Sequence, residues 1–204
     1  MDSLPSFPPE LLQSMQEIRI GDYTIKAESI TGHSIDGYSI IMLNNGVVYE
    51  GEMSRSRKNG FGLEYSAKGS IAYEGYFRDD KYDGWGRTSC YTGQFRDGLY
   101  DGYGIYSIDN YYYEGFFQKA QPSGEGISFK GANMLRFHPV KNIYDFLNNG
   151  LKNSMNILEE YKIDEIYLGE WKEGVKHGFG RLWKSKYWYS GQFSNDLPHG
   201  LGAE

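Results

Sequence analysis

The stretch YLGEWKEGVKHGFG at residues 167–180 decides the fold, because its spacing recurs along the chain. It begins with Tyr167, has a second ring four residues later at Trp171, and has glycines two, eleven and thirteen residues after the tyrosine. Six units share these three glycine positions, so 18 of the chain's 27 glycines belong to the repeat. The units begin at Tyr49, Tyr73, Tyr91, Tyr113, Tyr167 and Tyr189. Repetition at this period predicts an array in which each unit packs on its neighbours.

The order of residues within a unit predicts a β-hairpin. The tyrosine, the first glycine and the second ring stand at alternate positions and share one face of a strand, with polar residues such as Glu50 and Glu74 between them. The residues before the second glycine form a tight turn. Positive φ is expected there at Asp80, Gly98, Gly174 and Asp196.

The connection from one unit to the next varies in length and carries turn residues. Such segments occur at 44–46, 67–69 and 109–110. They predict the tips of hairpins, where extra residues cost little free energy.

The composition excludes several classes of function. A net charge of −6 opposes binding to a nucleic-acid backbone and to anionic membrane lipids. An aromatic content of 17% is too high for a flexible linker, and the single cysteine, Cys90, fits a reducing compartment. The chain also has no signal-peptide pattern at its start, and its longest aliphatic run covers only residues 40–43. We expect a soluble cytoplasmic protein.

No group of residues in the sequence indicates catalysis, a metal or a cofactor. His177 and His199 occupy equivalent positions in units about 10 Å apart, too far to share one zinc ion. The Gly-x-Gly pairs recur on predicted strands, whereas a phosphate-binding loop precedes a helix. Cys90 has no basic neighbour, and acidic pairs such as Asp79–Asp80 are typical of solvated turns. We therefore predict a non-enzyme.

The repeated units resemble the MORN repeat (membrane occupation and recognition nexus), which combines Tyr-x-Gly-x-aromatic with a later Gly-x-Gly. The resemblance covers about 49–132 and 167–202. It implies an all-β repeat array: a single-layer antiparallel sheet of stacked hairpins that forms an elongated, twisted groove. A degenerate unit precedes it, in which Ser39 replaces the last glycine and counting back from Gly37 places the missing tyrosine at Lys26.

The resemblance also implies a function. It favours a scaffold that binds partner proteins, such as a helical segment, along an aromatic groove in a cytoskeletal, ciliary or flagellar assembly. The candidate groove residues are Tyr73, Phe77, Tyr91, Phe95, Tyr113 and Phe117. The alternative is a regulatory or membrane-targeting module of a larger enzyme, because similar repeats precede lipid-kinase and lysine-methyltransferase domains.

Three segments depart from the repeat and complete the domain organisation. Residues 1–36 predict a helix, with Pro8 and Pro9 in its first turn and its end at Gly21, followed by the degenerate unit as a cap. Its apolar face comprises Leu11, Leu12, Met15 and Ile18. Residues 37–132 and 167–204 are the repeats. The last unit stops early, which predicts either end-to-end pairing through an open sheet edge or a fragment of a longer chain.

The insertion at 133–166 carries a helical stripe of apolar residues. The stripe comprises Ile143, Leu147, Leu151, Met155 and Leu158. A turn sequence at 148–150 divides it, which predicts helices at 141–147 and 151–161. The stripe either covers the protein's own groove or docks a partner.

Overall fold

The computed structural model describes residues 16–20, 23–31, 34–43, 45–131, 158–159, 162–184 and 187–203. In this part of the chain, fifteen strands form one open antiparallel sheet in which every strand lies beside its neighbours in sequence, as predicted. The strands are β1 (Gln16–Ile20), β2 (Tyr23–Thr31), β3 (Ser34–Leu43), β4 (Val48–Ser54), β5 (Arg57–Tyr65), β6 (Ile71–Arg78), β7 (Lys81–Arg87), β8 (Tyr91–Arg96), β9 (Leu99–Ile108), β10 (Tyr111–Gln118), β11 (Gln121–Gly131), β12 (Ile163–Lys172), β13 (Val175–Lys184), β14 (Tyr187–Ser194) and β15 (Leu197–Ala203).

The turns lie where the sequence predicts them. Asp80, Gly98, Gly174 and Asp196 have φ values of 68°, 85°, 83° and 67°, in the left-handed region that two-residue hairpin turns require. The predicted hairpin tips at 44–46, 67–69 and 109–110 fall between strands β3 and β4, β5 and β6, and β9 and β10. Local turn chemistry therefore determines where each strand ends.

Each repeat tyrosine lies over a pair of glycines on adjacent strands. In the unit that begins at Tyr73, Gly75 is paired with Gly86, and a Cβ atom on Gly86 would lie only 2.6 Å from Cζ of the tyrosine ring. The register shifts between Gly75 and Phe77, and the Tyr73 hydroxyl donates a hydrogen bond to the Tyr76 carbonyl at 2.9 Å. The carbonyl of the bulged residue thus has a hydrogen-bond donor inside the same unit.

The same hydroxyl contact recurs in four of the other units. Tyrosine hydroxyls donate to the carbonyl three residues later at 2.7 to 3.1 Å in the units of Tyr49, Tyr113, Tyr167 and Tyr189. The repeat is therefore a recurring hydrogen-bonding and packing device as well as a sequence pattern.

By its contacts the chain divides into two units, residues 1–89 with 94–99 and residues 90–93 with 100–204. In the first unit the Tyr73 ring meets Phe77 and Phe95 edge to face, at centroid distances of 5.1 and 5.2 Å. In the second unit Tyr113 meets Phe117 and Trp171 in the same way, at 4.9 and 5.2 Å. Edge-to-face aromatic packing therefore builds the core on this face of the sheet.

The prediction of an N-terminal helix is wrong for the part of that segment that the structure describes. Gln16–Ile20 is strand β1, and Ile18 is paired with Ile25 of β2. From Glu17 the sequence EIRI alternates polar and apolar residues, and the neighbouring strand supplies the hydrogen-bond partners that a strand needs. Residues 1–15, which hold the rest of the predicted helix, lie outside the described residues.

The degenerate unit is present, but its frame differs from the predicted one by one residue. Ala27 is paired with Ser39, in the place of the usual glycine pair, so Ile25 takes the position of the tyrosine and is buried. Lys26 points to the opposite face, because successive side chains alternate along a strand. Strand β2 has a register shift between Ala27 and Ser29, which adds one residue to this unit. Counting eleven positions back from Gly37 does not detect that residue.

Most of the insertion lies outside the described residues, including the predicted helix at 141–147 and the stripe from Ile143 to Met155. Leu158 and Glu159 have helical backbone, and strand β12 begins at Ile163, before the predicted boundary at 167.

Candidate functional site

The six predicted groove residues lie inside the protein. Tyr73, Phe77, Tyr91, Phe95, Tyr113 and Phe117 are between 0 and 6% exposed. A second layer covers the tyrosines: Tyr82 stacks on Tyr73 at 3.6 Å and Tyr100 stacks on Tyr91 at 3.8 Å. Their role in the described structure is packing, and contact with a partner stays a prediction.

Lysines replace the second-layer tyrosines in other units. The Lys58 ammonium lies 4.9 Å from the ring centroid of Tyr49 and bonds the Glu64 carboxylate, which also accepts the Tyr82 hydroxyl at 2.6 Å. Burial and the hydrogen bond to Glu64 raise the pKa of Tyr82. A charged network therefore closes this face of the sheet above the buried rings.

A related network lies in the second unit. Lys176 covers Tyr167 at 5.3 Å, and the Glu165 carboxylate bonds both Lys176 and Lys184. Burial alone would raise the pKa of Glu165, but the hydrogen bonds and positive charges of the two lysines outweigh burial and lower it. This carboxylate is a structural anion rather than an acid–base group.

The opposite face exposes the rings that lie between the glycines. In the first unit we define row 1 by its residues, which adjacent strands bring side by side: Tyr38, Glu52, Phe61, Tyr76 and Trp85. Phe61, Tyr76 and Trp85 are 40, 51 and 53% exposed, and Phe61 meets Tyr76 edge to face at 5.7 Å. Row 1 is a surface of large exposed rings with a carboxylate near one end.

The second unit has a similar row. We define row 2 by its residues in strand order: Tyr103, Phe116, Glu125, Glu170, Phe179, Gln192 and Leu201. Tyr103 meets Phe116 edge to face at 5.7 Å, and Glu125 is the direct cross-strand partner of Glu170. Phe116 and Phe179 are 51 and 64% exposed. Row 2 therefore combines solvent-facing rings with two adjacent carboxylates.

Other glutamates next to the rows accept hydrogen bonds from tyrosine hydroxyls. The Tyr38 hydroxyl donates to Glu50 at 2.5 Å and the Tyr65 hydroxyl donates to it at 3.3 Å. Burial and the charge of Glu50 raise the pKa of Tyr65 to about 12. In the second unit, Tyr103 and Tyr112 donate to Glu114 at 2.5 and 2.7 Å. These bonds hold phenol rings in fixed orientations beside the rows.

Part of this face is already covered in the second unit. Leu158, which is 2% exposed, packs in an apolar cluster that also includes Tyr112, Phe129, Ile166 and Trp183. At Leu158, the one stripe position that the structure describes, the insertion therefore contacts the sheet on the face opposite the predicted groove residues, and the two alternatives for the stripe stay predictions. Row 2 lies beside the cluster and stays exposed.

A shallow depression of about 530 Å³ adjoins row 2, lined by Leu168, Phe179, Arg181, Ser190 and Leu201 among others. Within the described residues, no three His, Cys, Asp or Glu side chains are grouped as a metal site would require. The same part of the chain contains no helix with the length and hydropathy of a membrane span.

From the sequence we predict no binding role for the exposed rings, although the sequence contains a signal for them. The residue between the last two glycines is apolar in five of six units: Phe61, Trp85, Tyr103, Phe179 and Leu201. These residues follow the same alternation as the polar face of each hairpin, so the pattern already separates them from the repeat tyrosines.

The fold and the tyrosine–glycine contacts define a repeat protein built from β-hairpins. The MORN repeat model matches residues 49–71, 73–89, 91–111, 167–187 and 189–203. The chain is therefore a MORN-repeat protein. No curated protein matches it. The structure adds the hairpin β10–β11, where Gly115 is paired with Gly126 under Tyr113, as a sixth unit of the same geometry.

Proposed function

We propose that this MORN-repeat protein is a non-catalytic scaffold that binds partner proteins through the exposed rings of rows 1 and 2. The observation that carries the proposal is the contrast between the two faces. Rings on one face are buried, whereas those between the glycines are 39 to 64% exposed. Aligned exposed rings form an apolar surface of the kind that marks interaction sites.

The geometry supports binding more than chemistry. Edge-to-face pairs such as Phe61–Tyr76 and Tyr103–Phe116 hold the rings in place, so little conformational entropy is lost when a partner covers them. The repeat spacing sets equivalent rings of neighbouring units about 10 Å apart, which suits an extended or helical partner segment. The MORN resemblance favours the cytoplasm, and a cytoskeletal, ciliary or flagellar assembly, as the setting.

The test is capture of partners from native extract by the wild type and by the triple variant Phe61→Ser/Tyr76→Ser/Trp85→Ser. All three side chains are exposed, so we expect an unchanged circular dichroism spectrum and loss of the captured proteins. Ile71→Ser removes an apolar residue of similar exposure, 41%, outside row 1 and serves as the matched control. Full capture by the folded triple variant would refute a role for row 1.

A variant such as Phe95→Asp is unsuitable for this test. Phe95 is 4% exposed, so an aspartate there would place a carboxylate among the core rings. Loss of binding would then report unfolding.

The alternative function, a membrane-targeting or regulatory module of a larger enzyme, makes a different prediction. Carboxylates at Glu52, Glu125 and Glu170 lie among the exposed rings and repel anionic headgroups. We therefore expect no flotation with vesicles that contain phosphoinositides at physiological salt. Flotation of the wild type would favour the alternative.

A further inference from the structure

We propose that row 2 binds a basic segment of a partner protein, and that an arginine or lysine of this segment lies over Glu125 and Glu170 between the rings of Phe116 and Phe179. The inference rests on the proposed protein-binding function and names the chemistry of the partner.

The two glutamates are adjacent across strands and carry the same charge. Glu125 and Glu170 are direct partners across strands β11 and β12, a relation that places Cβ atoms about 5 Å apart. Both side chains are exposed. Like charges at this distance destabilise a sheet, so the pair lowers the stability of the free protein.

The described residues contain no cation that neutralises this pair. Neither carboxylate takes part in an ion pair within 4.0 Å in that part of the chain, whereas Glu165, on the same strand as Glu170, bonds two lysines. Glu170 accepts the Phe179 amide at 2.8 Å, which fixes its carboxylate beside the ring. Of the cations on β13, Lys176 is paired with Trp171 and bonds Glu165, and Arg181 is paired with Leu168, two residues from Glu170.

The flanking rings suit the same occupant. Phe116 lies on the β10 side of Glu125 because Gly115 is paired with Gly126, and Phe179 lies on the β13 side of Glu170. A guanidinium between them would contact the ring faces and donate charge-assisted hydrogen bonds to both carboxylates. Arginine combines the planar fork and the ability to stack that this arrangement requires.

Charge also excludes the other occupants of this surface. A second copy of the chain brings a net charge of −6, and anionic lipid and nucleic acid bring negative phosphates. Each would add like charge to the carboxylate pair. The depression beside Phe179, lined by Leu168 and Leu201, offers apolar contact to the residues that follow the cation in an extended segment.

The experiment uses the full chain and a fluorescein-labelled peptide of about ten residues with arginine at alternate positions, the spacing that places side chains on one face of an extended segment. The matched peptide carries citrulline, an uncharged isostere, in place of arginine. Fluorescence anisotropy measures binding to the wild type, to Glu125→Gln/Glu170→Gln, and to Asp109→Asn/Glu173→Gln. The last variant removes the same net charge from turns outside row 2.

We expect the arginine peptide to bind the wild type, and the row 2 double variant to weaken binding by about tenfold or more. The turn variant should change binding less than about twofold, because these two carboxylates lie in turns outside row 2 and salt weakens the effect of exposed charges. The citrulline peptide should bind the wild type as weakly as the arginine peptide binds the row 2 double variant. Phe116→Ser/Phe179→Ser should also weaken binding.

Equal binding of the arginine peptide by the wild type and the row 2 double variant would overturn the proposal, and so would absence of binding up to about 1 mM peptide. A second readout needs no ligand: the glutamine pair should unfold at a higher urea concentration than the wild type, since it removes like-charge repulsion. If the arginine peptide does not bind, but capture of proteins from extract still depends on the row 1 rings, the basic-segment inference fails and the scaffold function stands. If both fail, the scaffold function fails too.

Discussion

The contact between a repeat tyrosine and its glycine pair leads to a quantitative prediction at Gly86. An alanine Cβ there would lie 2.6 and 2.7 Å from ring atoms Cζ and Cε2 of Tyr73. The Tyr73 ring is fully buried and stacks on Tyr82 at 3.6 Å on its other side, so it has no room to move. We therefore expect Gly86→Ala to force the ring out of its place.

The magnitude follows from three terms. Overpacking of a dense core costs about 1–3 kcal/mol. Displacement of the Tyr73 hydroxyl breaks its bond to the Tyr76 carbonyl, which costs about 1 kcal/mol. The lower entropy of alanine in the unfolded chain returns about 0.5–1 kcal/mol. The steric term dominates, and the expected loss in the free energy of unfolding is about 1–3.5 kcal/mol.

Urea denaturation followed by circular dichroism measures this loss, and a double-mutant cycle with Tyr73→Ile tests its cause. In the Tyr73→Ile background, Gly86→Ala should cost less than about 1 kcal/mol, because the ring that it strikes is gone. The chain already contains a natural example: where Ile25 replaces the tyrosine, Ala27 and Ser39 replace the glycines, and all three residues are buried.

Gly69→Ala is the control for backbone strain alone. Gly69 has a φ of 79° but no atom within 4 Å of its Cβ position, so the expected cost is about 1 kcal/mol in either background. A Gly86→Ala protein that unfolds within about 0.5 kcal/mol of the wild type, or a cycle whose two effects are additive, would refute the steric explanation of the glycine repeat.

Three further predictions concern other parts of the fold. Ala120 has a φ of 64° in the β10–β11 turn, so Ala120→Gly should raise the free energy of unfolding by about 0.5–1 kcal/mol in urea; a loss would mean that the turn is not left-handed in solution. Burial raises the pKa of repeat tyrosines such as Tyr49, Tyr73 and Tyr167 above the unfolded value of about 10, so their stabilising effect is complete below that pH and is lost as pH rises. Ultraviolet titration should show these phenols ionising together with unfolding, and independent ionisation near pH 10 would contradict their burial. Leu158→Ala should cost about 2–5 kcal/mol, whereas a cost below about 1 kcal/mol would show that the cluster around it is not formed.

The sequence predicts the hairpins and their turns well because these features depend on local rules. A two-residue turn needs positive φ, and aspartate or glycine at positions such as Asp80 and Gly98 meets that need. Where a strand lacks its own turn chemistry, local rules mislead: Ile18 fits both a helical face and an alternating strand, and only hydrogen bonding to β2 decides between them.

The candidate surface could not be predicted in the same way. Alternation shows that Tyr73 and Phe77 share a face and that Phe61 belongs to the other, but it does not show which face is covered. The covering residues are of unlike types, such as Tyr82 and Lys58, and only the structure places them above the repeat tyrosines. The predicted binding residues therefore proved to be buried.

By itself the sequence determines the repeating unit, because a tyrosine ring that lies over two glycines imposes the same spacing in every hairpin. Tertiary structure alone decides which rings meet solvent and which charges meet each other. Glu125 and Glu170 are 45 positions apart in the chain yet become direct partners, since strand register joins residues from different units across the insertion. Register is a property of paired strands, and the spacing within one unit does not contain it.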